Sequence, residues 1–356
     1  MTGNKNNDQN EDQIDRHLEL GYGALERDDL GAARKAAQAV LSLDASIAEA
    51  HTLLGAIAER DGDVDAARKA YGAARKADAE AFEPILALAE IEHAQGEIAR
   101  ARKLFAEASE KAEEEEEYVE SLLAHAEFEL AEGDGEAARL VLAELPPVDL
   151  PEPNDHLRAG DALRQVGALG GEHVAASLAE AERHFVAARK QAKDDPTLTA
   201  DAIYGLALVA EARGERDRMM SYFAEVLALD SKEQRPKWGL TDERMEALVE
   251  ATLGELPERA RELLANVPIV VEARPSRAQV QQEGMDPRLL GLFSGPNHTE
   301  GGDTPTLQQI TLYTRNLERA SANIEDLEEE VRVTLLHETG HFFGLDEDAL
   351  AELGLD

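Results

Sequence analysis

The chain has 356 residues, 43% of them apolar and 31% charged, which is enough for two or three cores of ordinary size. Its formal net charge is -38, from 74 acidic against 36 basic side chains, so nucleic acid and anionic membrane surfaces are poor partners and a basic protein or peptide is favoured. With no cysteine, disulfides, thiolate metal sites and cysteine nucleophiles are excluded together, and any metal must be held by His and carboxylates.

Met1 to Asp15 is rich in Asn, Asp and Gln, with no apolar run of the kind a secretory leader needs, and residues 1–14 are expected to be disordered. No apolar stretch approaches membrane-spanning length, and a cytoplasmic protein without membrane contact is expected. From residue 15 a period of 34 sets in. Leu20-Gly21, Leu54-Gly55 and Leu88-Ala89 superpose at that shift, as do Ala33, Ala67 and Ala101, and the aromatic residues Tyr71 and Phe105. Each unit reads as two helices meeting through small side chains around a Gly-Asp-like turn. A fourth unit turns at Gly133-Asp134. A fifth is interrupted by Gly167, Gly170 and Gly171, and a sixth carries Leu206-Ala207, Gly214 and Phe223. The prolines Pro146-Pro147, Pro151 and Pro153 mark a break near 146–155, so the array is expected as two short stacks.

These stretches resemble tetratricopeptide repeats. The resemblance implies a helical solenoid over 15–235 whose first helices line a concave face. Carried over by register, Leu18, Tyr22 and Glu26, then Glu49, Thr52, Glu59 and Arg60, then Glu83, Leu86, Glu90 and His93 point inward, followed in the sixth unit by Asp201, Tyr204, Leu208 and Glu211. The expected groove is acidic, and its expected occupant is a basic, extended protein or peptide segment. His17 and His51 lie 34 apart, as packing periodicity produces, while His125, His156, His173 and His184 show no metal spacing. Glu113 to Glu117 is read as a solvated helix start.

After a linker at 236–240 the repeat pattern stops. Thr241 is an N-cap candidate for a helix with Met245, Leu248, Val249 and Leu253 at helical spacing, and a short helix follows from about Pro257 to Ala265. Strand-like runs lie at Val267 to Val271, Leu289 to Phe293 and Gln309 to Tyr313. A long helix from Ile324 to about Phe343 has Leu327, Val331 and Leu335 on its core face. Its last turns carry His337-Glu338-Thr339-Gly340-His341. Four-residue spacing puts both imidazoles on one face with Glu338 beside them, an arrangement that suits Zn²⁺ with a general base next to it. Gly344 is expected to end the helix in a left-handed conformation and turn the chain back toward the metal.

The segment from Glu330 to Glu347, with the strand pieces before it, is similar to short bacterial zincin-like metallopeptidase domains over about 241–356. The fold class is therefore mostly α, a helical solenoid followed by a small α+β domain. The resemblance implies a zinc peptidase with His337 and His341 as ligands, Glu338 as base, and a third ligand ten residues after the first histidine, at Glu347; Asp346 is the alternative. By analogy the strand from Ile310 to Thr314 would pair with substrate at a sheet edge. His298 is a more distant ligand candidate. Tyr313 is the only tyrosine of this domain, and no separate transition-state stabiliser is evident. A non-catalytic binding scaffold with a structural or metal-regulated zincin-like domain is the alternative reading.

Overall fold

The computed structural model of the chain describes residues 3–146, 150–296 and 308–352, and the chain divides into two compact units, residues 1–191 and 192–356. The first consists of five helix hairpins: Gly3–Glu26 with Leu30–Leu43, Ala48–Arg60 with Val64–Ala77, Phe82–Ala94 with Ile98–Lys111, Glu115–Ala131 with Gly135–Leu142, and Pro153–Ala168 with Val174–Gln191. Each turn follows from its sequence. Gly62, Gly96 and Gly133 take positive φ after the first helix, and Asp63 and Asp134 then cap the second by accepting the Ala66 and Ala137 N–H groups. Ala33, Ala67, Ala101 and Ala138, the small positions of the period, are fully buried between the helices.

The first helix starts earlier than composition predicts. Its turn from Asn10 to Gln13 is exposed, so backbone hydrogen bonding alone extends it there. Nor does the proline-rich break interrupt the stacking: the helix Pro153–Ala168, with proline at its start, packs on Glu115–Ala131. Arg158 fastens the two, bonding Glu127 at 2.7 Å and Glu120 at 2.6 Å. Residues 147–149 of the break lie outside the described residues. In the fifth hairpin His156 and His184, without metal spacing in the sequence, come together in the core with Nδ1 atoms 3.0 Å apart.

The second unit opens with a sixth hairpin, Pro196–Ala212 with Arg216–Asp230, so the packing division at 191/192 precedes the end of the repeat pattern at 235. Helices Asp242–Glu255, capped by Thr241, and Glu258–Leu264 lead to a sheet of β1 (Ile269–Glu272), β2 (Gly291–Ser294) and β3 (Gln309–Tyr313). A π-helical turn, Gln279–Glu283, lies between β1 and β2, and helices Thr314–Ala320, Ile324–Phe343 and Glu347–Glu352 end the unit. The strand order is β1-β3-β2, with β1 parallel and β2 antiparallel to β3.

The strand nominated for substrate pairing is therefore corrected. Ile310 to Tyr313 form the central strand, and Thr314 already begins a helix, so among the described residues β1 and β2 are the outer strands of the sheet. Ile310, Leu312 and Tyr313 are fully buried, and Leu327, Val331 and Leu335 of the long helix close the same core, each contributing roughly 1.5–3 kcal/mol by leaving water.

The sixth hairpin is fastened within this unit. Val280 packs among Ala207, Met219 and Phe223. Arg288 bonds Asp201 at 2.8 Å and Asp230 at 2.9 Å, Arg319 bonds Asp201 and Glu233, and the Tyr204 hydroxyl donates to Asp286 at 2.7 Å. Asp201, Tyr204 and Leu208, expected on an open groove, are thus covered by the unit's own residues.

Candidate metal centre

The long helix Ile324–Phe343 is capped at its start by Asn323, which accepts the Asp326 N–H at 2.9 Å, and Glu325 and Asp326 in its first turn complement the dipole. Its core face fixes its rotation, so His337 and His341 share a half-buried flank beside that face. Gly344 ends it with φ +86°, and the Leu345 N–H returns to the Gly340 carbonyl at 3.0 Å, a left-handed cap that only glycine adopts without strain. The reversal brings the short helix Glu347–Glu352 back across the turns that carry His337 and His341. There Leu350 is fully buried, with its Cδ2 in the space where a side chain on Gly340 would begin.

This turn sorts the two acids that follow the glycine. Asp346 accepts the Ala349 N–H at 3.0 Å and so caps the last helix. Glu347 lies with the imidazoles: His337 Nε2 is 3.0 Å from His341 Nε2, and the Glu347 carboxylate oxygens are 3.7 Å and 3.4 Å from the two rings. Ligand atoms of all three residues fall within 4.8 Å of one another. Donors bound at 2.0–2.2 Å around a tetrahedral ion are separated by about 3.3 Å, so this set fits zinc in chemistry and in span. His341 Nδ1 lies 3.1 Å from the Leu345 carbonyl. A proton held there leaves the Nε2 lone pair facing the shared position. Glu347 is 77% exposed, and a centre so open leaves room for a fourth ligand from solution.

Glu338 is buried beside the centre, and burial pushes its carboxyl above the usual range, against the pull of the Phe293 N–H and of the two histidines. The Phe293 N–H donates to Glu338 Oε2 at 2.5 Å, from a residue of β2 whose backbone faces away from β3. The strand can approach this closely because of Gly291. A side chain there would begin 2.7 Å from Thr334 Cγ2 and 2.9 Å from Glu338 Cγ. Sequence reading did not anticipate either contact, and the only signal was a glycine inside a strand. Tyr313 is fully buried, with its hydroxyl 3.8 Å from the Met285 sulfur. His298 lies outside the described residues.

Residues 264–355 match the model of the zincin-like metallopeptidase family. No curated protein matches the chain. Among solved structures it is similar to that described as a functional characterisation of Pseudomonas aeruginosa PilF, at 17% identity over 63% of this chain and 95% of that one, TM-score 0.49. It is also similar to YrrB, described as a tetratricopeptide-repeat protein with an unusual peptide-binding site, at 15% identity over 56% of this chain and 95% of that one, TM-score 0.41. A tetratricopeptide-repeat protein from Parabacteroides merdae matches at 16% identity over 71% of this chain and 97% of that one, TM-score 0.41. The repeat assignment rests on the chain's own 34-residue period and its six hairpins. Among the described residues no helix is long and apolar enough to cross a membrane.

Proposed function

We propose that this array of tetratricopeptide-like repeats joined to a zincin-like domain is a zinc-dependent peptidase, with the recruiting part ending near residue 235 and the chemistry within 241–356. The observation that carries the reading is the convergence of His337, His341 and Glu347, with the buried Glu338 carboxylate one residue along the same helix. Bound by the three donors, a zinc ion would supply a Lewis acid for a peptide carbonyl and a water. Glu338 acts as general base: Phe293 holds Oε2, and Oε1 takes the water proton and returns it to the departing amine. Burial, which holds its carboxyl above the ordinary carboxylate range, makes it a stronger base than a solvated carboxylate. On the outward edge of β2 the Phe293 N–H is taken by Glu338, so substrate backbone pairs with the Gly291 N–H and carbonyl and the Phe293 carbonyl there.

The repeats recruit a basic segment. Glu49, Glu83 and Glu117 recur at shifts of 34, and crowding by surrounding atoms, then the neighbouring Glu117 and Glu49 carboxylates, push the Glu83 carboxyl up. A cation laid along this row relieves that repulsion. Asp201 is the equivalent residue of the sixth hairpin, when Leu206-Ala207 is aligned with Leu54-Gly55, and there it takes two arginines of the chain itself. The decisive experiment is Glu338→Gln. The variant is expected to keep zinc by elemental analysis while losing about 10²–10⁴ in cleavage rate. Zinc-independent cleavage, or none in either form of the zinc-loaded protein, would leave a binding scaffold.

A further inference from the structure

We infer that the cavity beside the metal centre receives a lysine or arginine side chain of the substrate and that Glu330 selects it; this rests on the peptidase reading above. The cavity is about 200 Å³ and opens along one face of the metal helix, with His337 and Glu338 at one end. Its walls are Leu289 and Leu290, just before β2, and Val333 and Thr334 on the helix. Glu330, Val333/Thr334 and His337/Glu338 stand on successive turns, so the cavity leads from the reacting centre to the Glu330 carboxylate over roughly 10 Å.

Glu330 differs from its neighbours. Glu328 pairs with Arg244 and Glu329 with Arg332, both on the outside of the helix. Among the described residues Glu330 is half-buried at the cavity with no ion pair or hydrogen bond. A mostly apolar groove with an unpaired carboxylate at one end matches one kind of natural side chain, an aliphatic stem carrying a cation at its tip. The stem covers the leucine walls and the head meets Glu330. A purely apolar side chain would dehydrate that carboxylate without replacing its water, and an acidic one would meet like charge.

The test uses the whole zinc-loaded chain with Glu338→Gln, which holds peptide without cleaving it, and titration calorimetry. The peptides carry a single lysine, arginine, norleucine or glutamate walked along an otherwise alanine sequence. At one register lysine and arginine are expected to bind about tenfold more tightly than norleucine, the size of one charge-assisted hydrogen bond. Adding Glu330→Gln should erase that preference by weakening lysine and arginine without weakening norleucine, which separates the cavity from any attraction to the repeats. Val333→Phe, which fills the cavity, should weaken lysine and norleucine alike. Equal affinity for lysine and norleucine at every register, a preference that survives Glu330→Gln, or no binding at all would overturn the assignment. A Glu330-dependent preference in a protein whose unmutated form cleaves nothing would sustain the cavity and sink the peptidase. Cleavage without charge preference would do the reverse.

Discussion

Gly291 sets how closely β2 can lie against the metal helix, and its replacement tests whether that distance matters. In Gly291→Ala the added methyl begins 2.7 Å from Thr334 Cγ2 and 2.9 Å from Glu338 Cγ, so strand or helix must move. We expect zinc content to be retained, about 1–3 kcal/mol to be lost in thermal melts, and cleavage to fall about a hundredfold as Glu338 leaves its seat. Retained cleavage would show that the strand gives way instead. The buried histidine pair makes a prediction of another kind. Burial first, then the His156 ring and Arg183, lower the His184 pKa from 6.5 to about 4. Protons therefore bind the unfolded chain more readily between those values. The stabilising effect of the neutral ring is complete above pH 6.5 and is lost as pH falls toward 4, on the order of 3 kcal/mol. His184→Gln does not titrate there, and subtracting its pH–stability profile from that of the natural protein should isolate this slope from the many carboxylates. Parallel profiles would show that the pair takes up its proton while folded.

At the scale of elements, the short helix Glu347–Glu352 reaches the imidazoles because Leu350 anchors it over Gly340. Leu350→Ala removes that anchor without touching a donor atom. It should cost roughly 2–5 kcal/mol of stability and weaken zinc about 10–100-fold in competition with a chromophoric chelator. Unchanged zinc affinity would mean that the Gly344 turn alone presents Glu347. Such packing is what sequence conveys least. The helix Ile324–Phe343 and the strand Gln309–Tyr313 stand where the sequence reading puts them, because their apolar spacing and flanking breakers are local signals. The π-helical turn at Gln279–Glu283 and the helix Glu347–Glu352 were not legible, being too short for a period to emerge. Whether a strand is an edge depends on distant partners. Gln309 to Leu312 alternate polar and apolar as a strand with one solvated face does, whereas Thr311 is buried along with Ile310 and Leu312, so the central position had no local sign. The Phe293–Glu338 bond and the His156–His184 pair span 45 and 28 residues, which no local pattern encodes.

For the molecule as a whole, the question is how much chain the zincin-like part needs in order to fold. The family resemblance covers residues 264–355, and the repeat pattern ends at 235, but the second compact unit begins at 192. The difference is the sixth hairpin, which supplies Asp201 and Asp230 to Arg288, with Glu233, just beyond it, joining Asp201 on Arg319. Arg288 and Arg319 are 13% and 17% exposed, so removing their acids leaves cations largely out of water, a loss of about 3–5 kcal/mol for each broken pair. Without the hairpin Val280 would also lose its partners Ala207, Met219 and Phe223. Deficits of that size consume most of a stability of about 5–15 kcal/mol, the usual range for a domain. A fragment of residues 192–356 should therefore melt in one cooperative transition and bind zinc, whereas 241–356 should melt broadly or aggregate. Asp230→Ala in the whole chain is the milder form of the same cut, since Asp230 is 3% exposed and bonds Arg288. It should lower the midpoint of the second unit's transition, followed by Trp238 fluorescence, because Trp238 packs on that unit's core. If 241–356 alone melts as sharply and as high as 192–356, the hairpin is merely the last repeat, and the zincin-like part is independent of it.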